Sequence, residues 1–185
     1  GLQKHINPIE IDFLIVSHTE PDHSGLIGYL VEINPEIIIV ASKVAINFLK
    51  DQIHKPFKST IVKTGDELDL GINLASGVQH KLEFLSTPNL HWPDTIFSFD
   101  KGTSILYTCD AFGLHYCSET LFDEDPDVLA PDFRFYYDCL MGPNARSVLQ
   151  ALKRINTLPE LKTIAVGHGP ILRNHFKRWI NDYYE

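Results

Sequence analysis

The chain has 185 residues, 44% of them hydrophobic, which suffices for one well-buried core and falls short of two comfortable domains. Its net charge of -8 comes with no concentrated basic stripe, which excludes nucleic acid as a partner because phosphate binding rests on clustered Lys and Arg. No apolar run, Ile37 to Ala41 included, approaches the roughly 20 residues of a membrane span, and no basic-then-apolar leader opens the chain.

Asp12 to Val16 reads as a buried strand, short, β-branched or aromatic, and bounded by polar sequence. A helix is expected over Ser24 to Glu32, with Leu26, Ile27, Leu30 and Val31 on one face, and Pro35 separates it from a second strand, Ile37 to Val40. Ser42 is a candidate N-cap for a helix from Lys43 to Gln52. From Ser59 to Thr108 the pattern turns to short strands, Thr60 to Lys63, Lys81 to Ser86, Thr95 to Phe99 and Ser104 to Thr108, around the turn signals Gly65-Asp66 and Lys101-Gly102, and is expected to be antiparallel. Helices are expected over Pro131 to Leu140 and Asn144 to Ile155, then a last strand, Thr163 to Val166, and a terminal helix. Mixed strands with flanking helices predict an α/β (α+β layered) fold in a single domain. Lys153-Arg154 and Lys177-Arg178 read as solvated helix faces.

The first strand runs into "SHTEPDHSG", which holds His18, Glu20, Asp22 and His23 within six positions. In extended chain His18 and Glu20 share one side, and Pro21 turns the backbone so that Asp22 and His23 face a second centre. Three later strands also end near a potential ligand: His91 in "LHWPDT", Asp110 in "CDAFG" and His168 in "GHGP". Each alone has a plain structural explanation; together they predict a site of two metals at one edge of a sheet. Four imidazoles and three carboxylates without a thiolate suit iron, manganese or zinc, and Asp110 is the natural bridge. His5, His54, His80 and His175 lie in polar or basic contexts and read as solvated, while His115 is kept as a group that touches a ligand from outside. Cys109, Cys117 and Cys139 are odd in number and lack paired spacing, so they are expected to be plain thiols in a reducing, cytoplasmic setting.

The pattern His18-x-Glu20-x-Asp22-His23 followed by His91, Asp110 and His168 resembles the metallo-β-lactamase superfamily. Hydrolases of that superfamily normally have histidine where this chain has Glu20, and a carboxylate there marks the flavodiiron proteins, or A-type flavoproteins. "SHTEPDHSG", "LHWPDT", "CDAFG" and "GHGP" all resemble flavodiiron segments, and "FRFYYDCLMGPNARSVLQALKRI" is similar to the diflavin variety of oxygenic phototrophs. The resemblance covers nearly the whole chain. It implies a metallo-β-lactamase-like αββα sandwich over residues 1–185, with one iron held by His18, Glu20 and His91, another by Asp22, His23 and His168, and Asp110 bridging. It further implies reduction of O2 to water, or of NO to N2O, with Asp110 and Glu20 acting through the irons. Trp92 would lie near the flavin, and Tyr136 and Tyr137 would approach the ligands from outside.

Flavodiiron proteins carry an FMN-binding flavodoxin domain after the metal domain, and the diflavin type adds an NAD(P)H-flavin reductase domain. The chain is therefore expected to be a fragment that lacks both domains and the first strands of the sandwich, that binds no FMN alone, and whose parent forms a head-to-tail homo- or heterodimer. A binuclear zinc hydrolase and a non-catalytic assembly module are the distant alternatives, and Glu20 speaks against the first.

Overall fold

The computed structural model describes residues 4–184. A three-stranded parallel sheet contains β1 (Phe13–Ile15), β2 (Ile38–Ala41) and β3 (Lys58–Ile61), in that order. A five-stranded sheet contains β4 (Glu67–Ile72), β5 (Gln79–Ser86), β6 (Ile96–Asp100), β7 (Ile105–Cys109) and β8 (Thr163–Val166), again in chain order. The α-helices that flank them are α1 (Pro21–Ser24), α2 (Ile27–Ile33), α3 (Lys43–Ile53), α4 (Pro126–Tyr136), α5 (Ala145–Ile155) and α6 (Phe176–Asp182).

The layers follow from the two-residue side-chain period of strands. In β2, Ile39 and Ala41 face α2 and α3, packing with Ile27, Val31, Ala45, Ile46 and Leu49. Their neighbours Ile38 and Val40 point the other way, into the space between the sheets, with Leu82, Phe84 and Ile96. Phe97, Phe99 and Leu106 line the far face of the second sheet and pack with Leu129, Phe133, Val148, Leu152 and Trp179 from α4, α5 and α6. This is the expected αββα order. Burying each such Ile, Leu or Phe contributes about 1.5–3 kcal/mol relative to exposure.

Several sequence expectations are corrected. The middle of the chain is not wholly antiparallel: β3 pairs parallel with β2, and the antiparallel run is β4 to β7. β4 was not foreseen beyond the Gly65-Asp66 turn, although Glu67-Leu68-Asp69-Leu70 alternates. The helix expected over Ser24 to Glu32 is split at Gly25 and Leu26, where Gly25 closes α1 and Leu26 caps α2. The helix expected from Pro131 begins at Pro126, because the Asp125 side chain accepts hydrogen bonds from the Asp127 and Val128 amides and caps it there. Pro131 lies inside it, and a π-helical turn, Tyr137–Met141, carries the chain onward. Ser42 does cap α3, its hydroxyl accepting from Ala45 N at 3.1 Å.

β5 and β6 are antiparallel, as are β6 and β7, while β7 and β8 are parallel. The C-terminal ends of β5, β7 and β8 therefore share one edge of the sheet, and the loop after β1 meets them there.

Candidate metal centre

Each predicted ligand occupies this edge. His18 stands just past β1, Glu20 is the N-cap of α1, and Asp22 and His23 lie within that single turn, which Pro21 starts. His91 comes from the β5–β6 loop, after a cis Leu90–His91 peptide. Asp110 directly follows β7, whose last residue, Cys109, has φ 55° next to a bulge in the β7–β8 pairing. A left-handed conformation at a residue with a Cβ costs on the order of 1–3 kcal/mol, and here it turns the Asp110 carboxylate into the cluster. His168 follows β8 between two glycines. A Cβ on Gly167 would lie 3.0 Å from His23 Cε1 and 3.4 Å from Asp110 Oδ1, and Gly169 has φ +89°, so the "GHGP" glycines answer to close approach and to backbone conformation respectively.

Asp110, 2% exposed, divides the imidazoles between its two oxygens. Oδ2 lies 3.2 Å from His18 Nε2 and 3.1 Å from His91 Nε2, and Oδ1 lies 2.9 Å from His23 Nε2 and 3.5 Å from His168 Nε2. On the first side Glu20 Oε2 is 2.8 Å from His91 Nε2 and 3.3 Å from His18 Nε2. On the second, Asp22 Oδ2 is 3.4 Å from His23 Nε2 and 3.3 Å from His168 Nε2. Among the described residues three groups are compact enough to hold a metal ion: His18, Glu20 and His91 with Asp110; Asp22, His23 and His168; and, overlapping both, His18, His23 and Asp110 with Cys109, whose thiol lies outside the donor set expected from sequence.

The residues fit such ions on their own geometry. His23 Nε2 and Asp110 Oδ1 are buried and 2.9 Å apart, yet neither has a partner in hydrogen-bond geometry, so the two atoms face common space. Burial would push His18 toward its neutral form, but the Asp110 carboxylate, and after it the Cys109 thiol, outweigh burial and raise its pKa to about 10. Asp110 raises His91 as well, against burial. Burial acts to raise Asp110 itself, yet His18 and His91 hold it far below the usual carboxylate range. The protein alone thus keeps protons on imidazoles where a cation would supply the same positive charge.

Comparison with known proteins shows the family and the fold. The family model described as "ODP family beta lactamase" matches residues 1–169. The chain belongs to this family. A relative from Nostoc sp. (strain PCC 7120), named as a diflavin flavoprotein A, is 61% identical over 178 residues, which are 96% of this chain and 30% of that protein. The chain therefore spans about a third of the length of such relatives. A metal-soaked flavodiiron core of Synechocystis sp. PCC 6803 superposes with TM-score 0.91 at 28% identity over 99% of this chain and 44% of that one. The rubredoxin oxygen:oxidoreductase of Desulfovibrio gigas gives 0.86 at 25% identity, over 99% and 45% respectively. The flavodiiron resemblance and the metallo-β-lactamase-like fold both hold.

Around the cluster the other predicted residues differ in placement. The Trp92 ring is half-buried, 6.1 Å from the His18 ring. His115 is exposed, with its ring 5.3 Å from His168 and 4.9 Å from Tyr136. Tyr136 is 3% exposed, and burial followed by the Asp110 charge keeps its hydroxyl protonated. Tyr137 turns instead to Tyr183, ring to ring at 4.8 Å. His5 and His54 are exposed as expected, but His80 and His175 are only partly so. His80 Nδ1 pairs with Asp100 Oδ2 at 2.7 Å, because β5 faces the end of β6, and the His175 amide donates to Asp123. Cys109, Cys117 and Cys139 are free thiols. Sequence reasoning passed over Asp94 and Thr19, which join two ligand loops; the signal was an acid three residues after His91 in "HWPD".

Proposed function

We propose that the chain is the diiron domain of an oxygen reductase, taking O2 to water with electrons from FMN in a neighbouring domain. The observation that carries this reading is Glu20, whose carboxylate reaches both His18 and His91 at the position where hydrolytic relatives have an imidazole. An added anionic donor favours Fe(III) over Fe(II) and so suits redox turnover, whereas neutral imidazole suits a zinc-bound nucleophile. His18, Glu20 and His91 would hold one iron and Asp22, His23 and His168 the other, with the Asp110 carboxylate between the two groups. A pair of irons bound there would supply electrons and Lewis acidity toward a small diatomic acceptor. Asp110 and Glu20 balance their charge, and Tyr136 presents a neutral hydroxyl beside His115 at the rim of the second group. Trp92, half-buried beside His91, marks the side from which a flavin approaches.

Supporting this reading, the Nostoc relative is named a diflavin flavoprotein and is about three times longer than the matched region. The remainder of such a parent provides the flavodoxin-like and flavin reductase domains, and a head-to-tail dimer brings one subunit's flavin to the other's irons. The Desulfovibrio neighbour's name specifies oxygen as acceptor.

The deciding experiment loads the protein with iron anaerobically, reduces it chemically, and follows metal content and spectra on exposure to O2 and, separately, NO. Near two irons per chain that are oxidised by O2 is the expected outcome. Preference for NO over O2 would replace oxygen by nitric oxide as the acceptor, and two zincs with thioester or lactam hydrolysis would overturn the redox reading.

A further inference from the structure

Asp94 is 1% exposed, and the diiron reading gives it no role. Its Oδ2 accepts hydrogen bonds from both the backbone N–H and the hydroxyl of Thr19, each at 2.8 Å, while Oδ1 is buried without a partner among the described residues. Isolating a carboxylate oxygen in this way costs stability, so contribution to folding alone explains the residue poorly. Its location supplies a reason. Thr19 sits between His18 and Glu20, and Asp94 lies three residues beyond His91.

The frame around this joint is polar and tight. Ser42 Oγ at the head of α3 donates to Asp94 O at 2.7 Å, and the Thr19 carbonyl accepts from Ser24 Oγ at 2.8 Å and from Gln52 Nε2 at 3.3 Å. On the other side, Thr95 Oγ1 donates to Trp92 O at 2.8 Å, and Asn89 N bonds to the same carbonyl, also at 2.8 Å, closing the His91 loop. These bonds pin two loops that come from different sheets and are 75 residues apart at the Thr19–Asp94 contact. The donor group of His18, Glu20 and His91 is assembled across that junction; the group of Asp22, His23 and His168 is not.

We propose that Asp94 is a positioning residue for one half of the dinuclear site, registering the His18–Glu20 loop against the His91 loop so that one metal is held at the expense of neither loop's fold. This inference rests on the diiron reading. Outer partners of metal ligands typically carry about 10- to 100-fold in metal affinity. Loss of Asp94 therefore weakens one metal selectively and leaves the other in place.

The test compares wild type with Asp94→Ala, Asp94→Asn, Thr19→Val and Thr19→Ser, each loaded with Fe(II) under anaerobic conditions. Readouts are iron per chain, stepwise Fe(II) affinity, and the electron paramagnetic resonance signal after partial oxidation. The expected result for Asp94→Ala is roughly a 10- to 100-fold drop in one of two binding steps, iron falling from about two toward about one, and a coupled signal replaced by that of an isolated high-spin ion. Asp94→Asn keeps an acceptor for Thr19 and restores part of the affinity. Thr19→Val loses only the hydroxyl bond and shows a smaller selective drop, while Thr19→Ser behaves as wild type; this pair decides the matter should the Asp94 variants fail to fold. Equal weakening of both steps, or unchanged affinity and signal in Asp94→Ala and Thr19→Val, overturns the proposal. A wild type that binds no pair of irons instead refutes the diiron reading beneath it.

Discussion

Asp110 is the residue on which the cluster turns, because each of its oxygens approaches two imidazoles. Asp110→Asn keeps the shape but removes the charge, leaving His18 and His91 without the carboxylate that holds them protonated. Iron content is expected to fall from about two to below about one per chain, as elemental analysis of protein reconstituted in parallel with wild type will show. The pH response follows from the same residues. With no metal bound, His18 titrates near 10 instead of 6.5, so its contribution to stability is fully present below pH 6.5 and disappears as pH rises through about 10. Asp110 is lowered from 3.8, so its contribution is present above that pH and is lost on acidification through its depressed value. Metal must displace the His18 proton, and apparent Fe(II) affinity should therefore rise from about pH 6 to about pH 8, with proton release visible by calorimetry in buffers of different ionisation enthalpy. An affinity independent of pH in that range would contradict this. The candidate donors and their place after strands were legible in the sequence, since His18, Glu20, Asp22 and His23 crowd six positions. Asp94 was not, because its partner Thr19 is remote in sequence and a single Asp carries no pattern.

At the scale of elements, the loops that carry the candidate ligands are held by buried polar joints more than by helix propensity. Asp123, fully buried between the β7–α4 connection and α6, accepts from the amides of Arg173, Asn174 and His175 and from Trp179 Nε1, all within 2.9 Å. It anchors the chain that leaves the His168 loop. Asp123→Ala leaves those donors buried and unpaired and is expected to cost on the order of 3 kcal/mol in chemical denaturation. Ser42→Ala removes the α3 cap together with the bond to Asp94 O, for an expected loss of about 1 kcal/mol. Strands were read best where an apolar run is continuous, as in β2, and worst in β4, whose residues alternate but are mainly exposed. The parallel pairing of β3 also escaped, because strand direction depends on the α3 crossover and leaves no local mark.

Across the whole molecule, the cluster joins the layers: β1 belongs to one sheet, β5, β7 and β8 to the other, and Asp110 meets imidazoles that follow strands of both. Iron that binds the folded state alone stabilises it by mass action. At free iron near 100 times the dissociation constant, a single site adds about 2.7 kcal/mol, so chelation should lower the thermal midpoint, and readdition of Fe(II) should restore it. A midpoint indifferent to chelation would count against metal as a structural clasp. Among the described residues no helix is long and apolar enough to cross a membrane, in line with the short apolar runs of the sequence.

The sequence alone carried the layered α/β class, the αββα expectation through its flavodiiron-like motifs, and the chemistry of the donor set, because residue type and two-residue periodicity are local properties. Tertiary structure decided how the donors divide between the Asp110 oxygens, that Tyr136 meets His115 while Tyr137 rests on Tyr183, and that Asp94 joins the loops of His18 and His91. Those distinctions turn on ångström-scale register between segments far apart in the chain, and register is set by the packing of the two sheets and their helices against one another.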